Sequence, residues 1–347
     1  MRLLALTTFI AAVFAIAVGG LWAYSQYVNV TQHPLVLPEG EDAEPVILNV
    51  EPGTSFSALA HELHERGIIS QPRVLAWYAQ HKGLASRIKA GEYELQAGLT
   101  AASLLDKLVR GDVILHSLTL VEGWNFRQVV AAVRASEHLR QTLGESTPET
   151  IMTRVGAPGV HPEGRFLPDT YKFGRGTTDV EFLTRAYQAM RKLLESEWPK
   201  RDPAAPLKTP DEALTLASIV EKETGRADER ERVAGVFARR LVKGMKLQTD
   251  PTVVYALGES YDGNIRKRDL SFDSPYNTYV YPGLPPTPIA MPGAASIRAA
   301  LHPASGNALY FVARGDGAGG HEFSATYAEH QRAVRRYLRR LRAGNKE

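Results

Sequence analysis

Residues 209–225 read TPDEALTLASIVEKETG and predict a helix whose middle is apolar on every side. Thr209 is a suitable N-cap residue, and Pro210 fits the first helical position, where a proline costs no hydrogen bond. Glu212 stands where a capping box places its acidic residue, and Gly225 is a suitable stop. We therefore predict a helix that begins after Thr209 and ends before Gly225.

Two glutamates, Glu221 and Glu223, stand near the end of this helix and point to faces that lie about 160° apart. The neighbours of Glu221 on its face are small and uncharged, so its carboxyl would lose hydration and its pKa would rise, as a general acid requires. Glu223 has an ordinary role available, which is an i,i+3 ion pair with Arg226. Glu221 is therefore a catalytic candidate; the alternative is a helix-edge glutamate that bonds a distant arginine.

The N-terminal stretch from Leu3 to Tyr24 contains no charged residue, and at a helical rise of 1.5 Å it extends about 33 Å. The apolar run continues past the small residues at 15–17, where a signal peptidase would cut, which favours a transmembrane anchor over a cleaved signal peptide. Trp22 would suit the membrane interface. Arg2 precedes the span and no further lysine or arginine occurs before Arg66, which predicts a cytoplasmic N-terminus and an external remainder.

Composition excludes several classes of function. A net charge of only +3 provides no field for nucleic-acid binding, and the absence of cysteine excludes disulfide scaffolds, cysteine-ligated zinc and thiol catalysis. We predict no cofactor and no metal. Residues 315–320 (GDGAGG) satisfy a dinucleotide-binding pattern, but no helix opens directly after them. They are predicted to join a strand at 308–314 to a return strand at His321, before a final helix from about 326.

Three stretches repeat one pattern, in which an apolar strand end is followed by a turn glycine, a small polar residue and an amphipathic helix; the glycines are Gly53, Gly98 and Gly123. The predicted fold class is α+β. It comprises a transmembrane helix at 1–24, a tether at 25–44, a small β-α-α-β module at 45–115 and a larger mixed α+β domain at 116–347. The module loosely resembles LysM modules, which bind cell-wall glycans; the alternative is a purely structural domain.

Polar and aromatic residues cluster in proline-rich loops of the larger domain, a composition that suits sugar binding; the alternative is that the loops brace one another. Six stretches in a set order carry a family resemblance: EGRFLPDTY (163–171), ASIVEKET (217–224), LQTDPTVVYALG (247–258), SPYNTY (274–279), GLPPTPIAMPG (283–293) and GGHEFSATYAEH (319–330). They resemble the endolytic murein transglycosylase, or YceG-like, family. Thr287 departs from the pattern, because the family usually has glycine there, and we expect only a local effect on the loop.

The resemblance implies a single-pass protein of the bacterial inner membrane that cleaves nascent peptidoglycan glycan strands in the periplasm, in association with peptidoglycan synthases. It implies Glu221 as the catalytic residue, first a general acid and then a general base. The C6 hydroxyl of N-acetylmuramic acid would be the nucleophile and leave a 1,6-anhydro end, so no second carboxylate is needed to activate water. The predicted substrate-cleft residues are Glu163, Gln248, Asp250, Asn277 and Tyr279.

Two other functions fit the same residues. A true glycoside hydrolase would use Glu221 together with Glu163 or Asp250 and would leave reducing ends. A non-catalytic scaffold would hold glycan strands near the synthases without cutting them.

Overall fold

The computed structural model of this chain describes residues 2–38 and 44–344. Residues 39–43, the acidic part of the predicted tether, lie outside the described residues. The chain forms two compact units: the first consists of Met1–His116 with Phe173–Gly176, and the second of Ser117–Lys172 with Thr177–Glu347. Each unit mixes helices with short two-stranded sheets, as the predicted α+β class requires.

The first unit opens with helix α1 (Arg2–Gln32). Its part from Thr7 to Gln32 is long and apolar enough to cross a membrane: the most apolar 18-residue stretch has a mean hydropathy of 1.7, and none of that stretch is buried by the rest of the chain. The helix continues to Gln32, so the first residues of the predicted tether are helical.

The rest of the first unit has the predicted β-α-α-β order followed by a further helix: β1 (Val46–Val50), α2 (Phe56–Glu65), α3 (Pro72–His81), β2 (Gly91–Leu95) and α4 (Ala101–Arg110). Strands β1 and β2 are antiparallel, with Leu48 opposite Tyr93, and both of these side chains are fully buried. The apolar faces of the three helices close the same core. This element order does not test the resemblance to LysM modules, which remains a prediction.

The repeated strand–glycine–helix pattern is confirmed. Gly53, Gly98 and Gly123 all have φ between +79° and +86°, a conformation that side chains disfavour. After each glycine a small polar side chain caps the next helix by accepting a backbone N–H bond; the caps are Ser55, Thr100 and Asn125.

The remaining elements are β3 (Leu115–Thr119), α5 (Phe126–Arg134), α6 (Pro148–Arg154), β4 (Thr170–Gly174), α7 (Asp179–Glu197), α8 (Pro210–Glu223), α9 (Arg230–Val242), α10 (Asp250–Leu257), α11 (Ala294–Leu301), β5 (Tyr310–Ala313), β6 (His321–Ser324) and α12 (Tyr327–Gly344), with three single-turn 3₁₀ helices. Strands β3 and β4 pair with each other. Helix α8 lies at the centre of the second unit, where every residue from Ala213 to Val220 is buried. It packs against α9 and α11, because a helix that is apolar all round needs partners on several sides.

The predicted start of α8 is confirmed. The Thr209 hydroxyl accepts the N–H of Glu212, and Pro210 is the first helical residue. The capping box is not reciprocal, because the Glu212 carboxylate accepts the N–H of Lys208. The helix ends at Glu223, with Thr224 as its C-cap residue in place of the predicted Gly225.

The predicted hairpin near the C-terminus is also confirmed, since β5 and β6 pair antiparallel with Tyr310 opposite Ser324. The glycine-rich stretch at 315–320 is the connecting loop, and helix α12 follows β6. The His321 ring and the buried Glu229 carboxylate form a hydrogen bond at 2.7 Å, which joins this hairpin to the start of α9.

Candidate active site

The C-terminal end of α8 presents its two glutamates to different partners. The Gly293 N–H donates to Glu221 Oε2 at 2.9 Å, whereas the Thr249 hydroxyl donates to Glu223. The predicted ion pair between Glu223 and Arg226 is wrong: Arg226 binds Asp228 at 2.7 Å, because the chain turns away after Glu223 and carries Arg226 off the helix.

Glu221 shares its surroundings with a second acid that sequence reasoning missed. The Glu122 carboxylate lies against Gly293 so closely that a Cβ atom built there would be 1.8 Å from Glu122 Oε1. Burial, together with the charge of Glu221, raises the pKa of Glu122. Two carboxylates therefore converge on Gly293 at the start of α11. Position 122 appeared in the sequence only as part of a turn, and only the tertiary contact joins it to position 221.

A cavity of about 500 Å³ lies next to this carboxylate pair. Gly123 and Lys222, the chain neighbours of the two acids, line its wall, although Glu221 itself does not. The Glu221 Cγ atom lies 4.0 Å from where a Cβ atom of Gly123 would be, and the Lys222 ammonium donates to the Gly123 carbonyl at 3.3 Å. Glycine at position 123 thus leaves the wall open beside Glu221.

Glu163 lies inside this cavity, as a predicted cleft residue should, and it is only 4% exposed. The Phe126 N–H donates to one carboxylate oxygen at 2.9 Å, and the Tyr255 hydroxyl donates to the other at 3.1 Å. Burial nevertheless dominates and raises the pKa of Glu163 to about 7. Glu163 can therefore hold or release a proton near neutral pH.

Three other predicted residues, Gln248, Asp250 and Tyr279, belong to the loop region around Glu223. The Tyr279 hydroxyl donates to Asp250 Oδ1 at 2.6 Å. Gln248 is exposed and has φ +52°, the only positive φ outside glycine among residues 2–38 and 44–344. Burial raises the pKa of Glu223 to about 7, although Thr249 donates to its carboxylate. This group carries both donors and acceptors of the kind that bind sugar hydroxyls.

Asn277, the fifth predicted cleft residue, lies in the interior of the protein. It is fully buried, and its amide donates to the carbonyls of Asp269, Leu270 and Phe272, while its carbonyl accepts the N–H of Tyr279. These contacts brace the loop that carries Tyr279. A direct role in substrate binding remains a prediction for Asn277.

Helix α10 connects the two groups of polar residues. It begins at Asp250, and about one and a half turns later its Tyr255 hydroxyl reaches Glu163 in the cavity. The Tyr255 ring lies 4.9 Å from the Tyr276 ring, and the Tyr276 hydroxyl is 2.8 Å from the Thr287 hydroxyl. Thr287, the residue that departs from the family pattern, therefore adds a hydrogen bond to the pair of tyrosines, Tyr255 and Tyr276, next to Glu163.

The chain is similar in sequence and in structure to known proteins. The model of the YceG-like family matches residues 48–336. An endolytic murein transglycosylase of Bacillus subtilis is 33% identical over 92% of this chain and 91% of its own length. One from Streptococcus pneumoniae strain D39 is 26% identical over 88% of this chain and 60% of its own length. A crystal structure of a protein described as YceG-like from Listeria monocytogenes superimposes with a TM-score of 0.52 at 29% identity, covering 83% of this chain and 99% of that one.

Proposed function

Because this chain belongs to the YceG-like family, we propose that it is a membrane-anchored endolytic transglycosylase of peptidoglycan. It cleaves the bond between N-acetylmuramic acid and N-acetylglucosamine within nascent strands and leaves 1,6-anhydro ends. The observation that carries the proposal is the position of Glu221, at the end of a buried helix, beside an open cavity, with one oxygen held by the Gly293 N–H. The similarity to curated murein transglycosylases over nine-tenths of the chain supports the reaction class.

Glu221 acts first as a general acid. With Oε2 held by Gly293, its protonated carboxyl gives a proton to the glycosidic oxygen as the bond from that oxygen to C1 of the muramic residue breaks. The carboxylate then takes the proton of the C6 hydroxyl, whose oxygen forms the new bond to C1 of the same residue. The proton that Glu221 loses in the first step returns in the second, so no water is consumed and no metal is required for balance.

The predicted cleft residues serve strand binding, some by direct contact and others by holding the loops that carry these contacts. Glu163 and Tyr255 offer a proton-sharing pair inside the cavity, while Gln248 and Asp250 are exposed and available to hydroxyl groups. Tyr279 positions Asp250 through its hydroxyl, and Asn277 holds the loop in place. The β-α-α-β module in residues 45–115 gives a second glycan contact, and the domain in residues 116–347 performs the cleavage.

The anchor completes the proposal. Helix α1 crosses the inner membrane once, with its N-terminus in the cytoplasm and both units in the periplasm, where nascent strands are made. Its length, its hydropathy and the lack of burial along its most apolar stretch support this assignment.

The decisive test is mass spectrometry of the products from purified glycan strands, with wild type, Glu221→Gln and Glu223→Gln compared in parallel. We expect anhydro ends from wild type, none from folded Glu221→Gln, and most of the activity from Glu223→Gln, since an amide still accepts the Thr249 hydroxyl. Equal residual activity in the two variants would contradict the assignment of Glu221. Reducing ends would indicate a hydrolase that uses Glu163 or Asp250 as its second acid, and no cleavage by folded wild type would favour a scaffold.

A further inference from the structure

The last turns of α1 are packed into the first unit, which fixes where the chain leaves the membrane. The Tyr27 ring lies 5.8 Å from the Tyr78 ring of α3, and α1 also contacts α4. Directly after the helix, the Leu35 N–H donates to the Leu99 carbonyl at 2.7 Å, and Leu35 itself is buried. The span is therefore fastened to the module within a few residues, without a free tether between them.

The membrane depth of α3 follows from this attachment. A bilayer core of about 30 Å takes about 20 helical residues, which brings a span that starts at Leu3 to its outer boundary near Trp22. From Trp22 to Tyr27 the helix rises about 7.5 Å, close to the thickness of one headgroup layer. Since Tyr27 packs against Tyr78, helix α3 lies at the depth of the headgroups.

The surface that α3 presents there has the composition of an interfacial membrane contact. Arg73, Trp77 and His81 are exposed at i, i+4 and i+8, and the Trp77 side chain is 56% exposed. Trp77 stacks on His81 at 5.1 Å between ring centroids. Helix α3 contains no acidic residue, so anionic headgroups meet no repulsion from it.

The same face of α3 borders the span directly. An open groove of about 1060 Å³ is lined on one side by Trp22 and Gln26 of α1 and on the other by Arg73 and Trp77 of α3. Tryptophan prefers the membrane interface, and arginine beside it can reach lipid phosphates. Helix α2 contributes the polar residues Ser57, His61 and His64 to this groove.

We propose that the α3 face formed by Arg73, Trp77 and His81 is seated among the phospholipid headgroups of the membrane that α1 spans. The proposal rests on the anchor assigned to α1 in the proposed function. The first unit is then held against the bilayer at two places, the span and the α3 face, so that it cannot swing freely about the end of α1.

Because the chain has no cysteine, single-cysteine variants can test the contact between the α3 face and the headgroups in the full-length protein. Tyr24→Cys reports on the span exit and Gln80→Cys on the exposed side of α3. Each variant is labelled with an environment-sensitive fluorophore and reconstituted into phosphatidylethanolamine–phosphatidylglycerol vesicles with or without headgroup spin labels. We expect both labels to be quenched to a similar extent. Adding Arg73→Ala and Trp77→Ala should relieve quenching of the Gln80 label and leave the Tyr24 label unchanged.

The outcomes distinguish the headgroup contact of α3 from the membrane anchor α1. Quenching at position 24 without quenching at position 80 contradicts the headgroup contact and supports the anchor. No quenching at position 24, or loss of the protein from floated vesicles, overturns the anchor and the headgroup contact with it, and the products from glycan strands report separately on catalysis. If a soluble chitin oligosaccharide shifts the emission of the Gln80 label and lipid quenchers do not, Trp77 belongs to a sugar site and the proposal is wrong.

Discussion

At the scale of single residues, four carboxylates of the second unit have different surroundings. Glu221 and Glu122 meet at Gly293, Glu163 shares its cavity with Tyr255, and Glu223 accepts from Thr249. Burial raises the pKa of both Glu163 and Glu223 to about 7, so these two acids change protonation near neutral pH although the proposed proton transfers belong to Glu221.

The raised pKa of Glu163 predicts a loss of stability with rising pH. The folded state holds a proton on Glu163 up to about pH 7, whereas the unfolded chain releases it near 4.5, so stability falls as pH rises between these values. The loss for this group is at most about 3 kcal/mol. Urea unfolding at pH 5 and pH 8 should show a smaller decrease for Glu163→Gln than for wild type. An identical decrease in both proteins would contradict the raised pKa.

Gly293 is predicted to depend on Glu122. Gly293→Ala places a methyl group where Glu122 Oε1 now lies, and we expect a cost of about 1 kcal/mol because a flexible side chain can yield. In a Glu122→Ala background the same substitution should cost almost nothing. Gly225→Ala is the matched control, since a Cβ atom there meets open space. Equal costs of Gly293→Ala in both backgrounds would show that the contact does not limit position 293.

At the scale of elements, helix α8 positions the site. Its N-terminal cap and the helices packed around it keep α8 itself in place. The cap involves residues close in sequence, whereas the burial of α8 depends on contacts with α9 and α11, which follow later in the chain. Any change in the register of this helix would move Glu221 away from Gly293, and the element is therefore as much a part of the site as the carboxylate.

We predict that Thr209→Ala lowers the free energy of unfolding by about 1 kcal/mol, because the Glu212 N–H loses its acceptor. Thr209→Ser keeps the hydroxyl and should be nearly neutral. Denaturant titration of both variants measures the difference. If Ser and Ala prove equally destabilising, the methyl group and not the cap is responsible.

At the scale of the whole molecule, the two units have separate cores, and we expect two calorimetric transitions on heating. His321→Ala removes the ring from the Glu229 carboxylate, which is 2% exposed and keeps the backbone N–H of residue 321, at a cost of about 2 kcal/mol. Only the transition of the second unit should move to lower temperature. A shift of both transitions would mean that the units unfold together.

The features that depend on neighbours along the chain could be predicted from the sequence. These are the long apolar helix, the three glycine turns with their caps, the start of α8 and the C-terminal hairpin. Each arises from contacts within a few residues, where backbone conformation and hydrogen bonding are governed by residue type. The different directions of Glu221 and Glu223 follow from helix geometry for the same reason.

Contacts between distant groups became visible only in the folded chain. Folding brought Glu122 to Glu221, gave Glu223 a threonine in place of Arg226, placed Glu163 against Tyr255, and buried Asn277 inside its loop. The partners of the three pairs of side chains are separated by tens of residues, and a carboxylate's burial and partners depend on every element packed around it. Helical spacing predicts the face of the helix on which a side chain lies. The charge, hydration and hydrogen bonds around that side chain depend on the packing of the whole molecule.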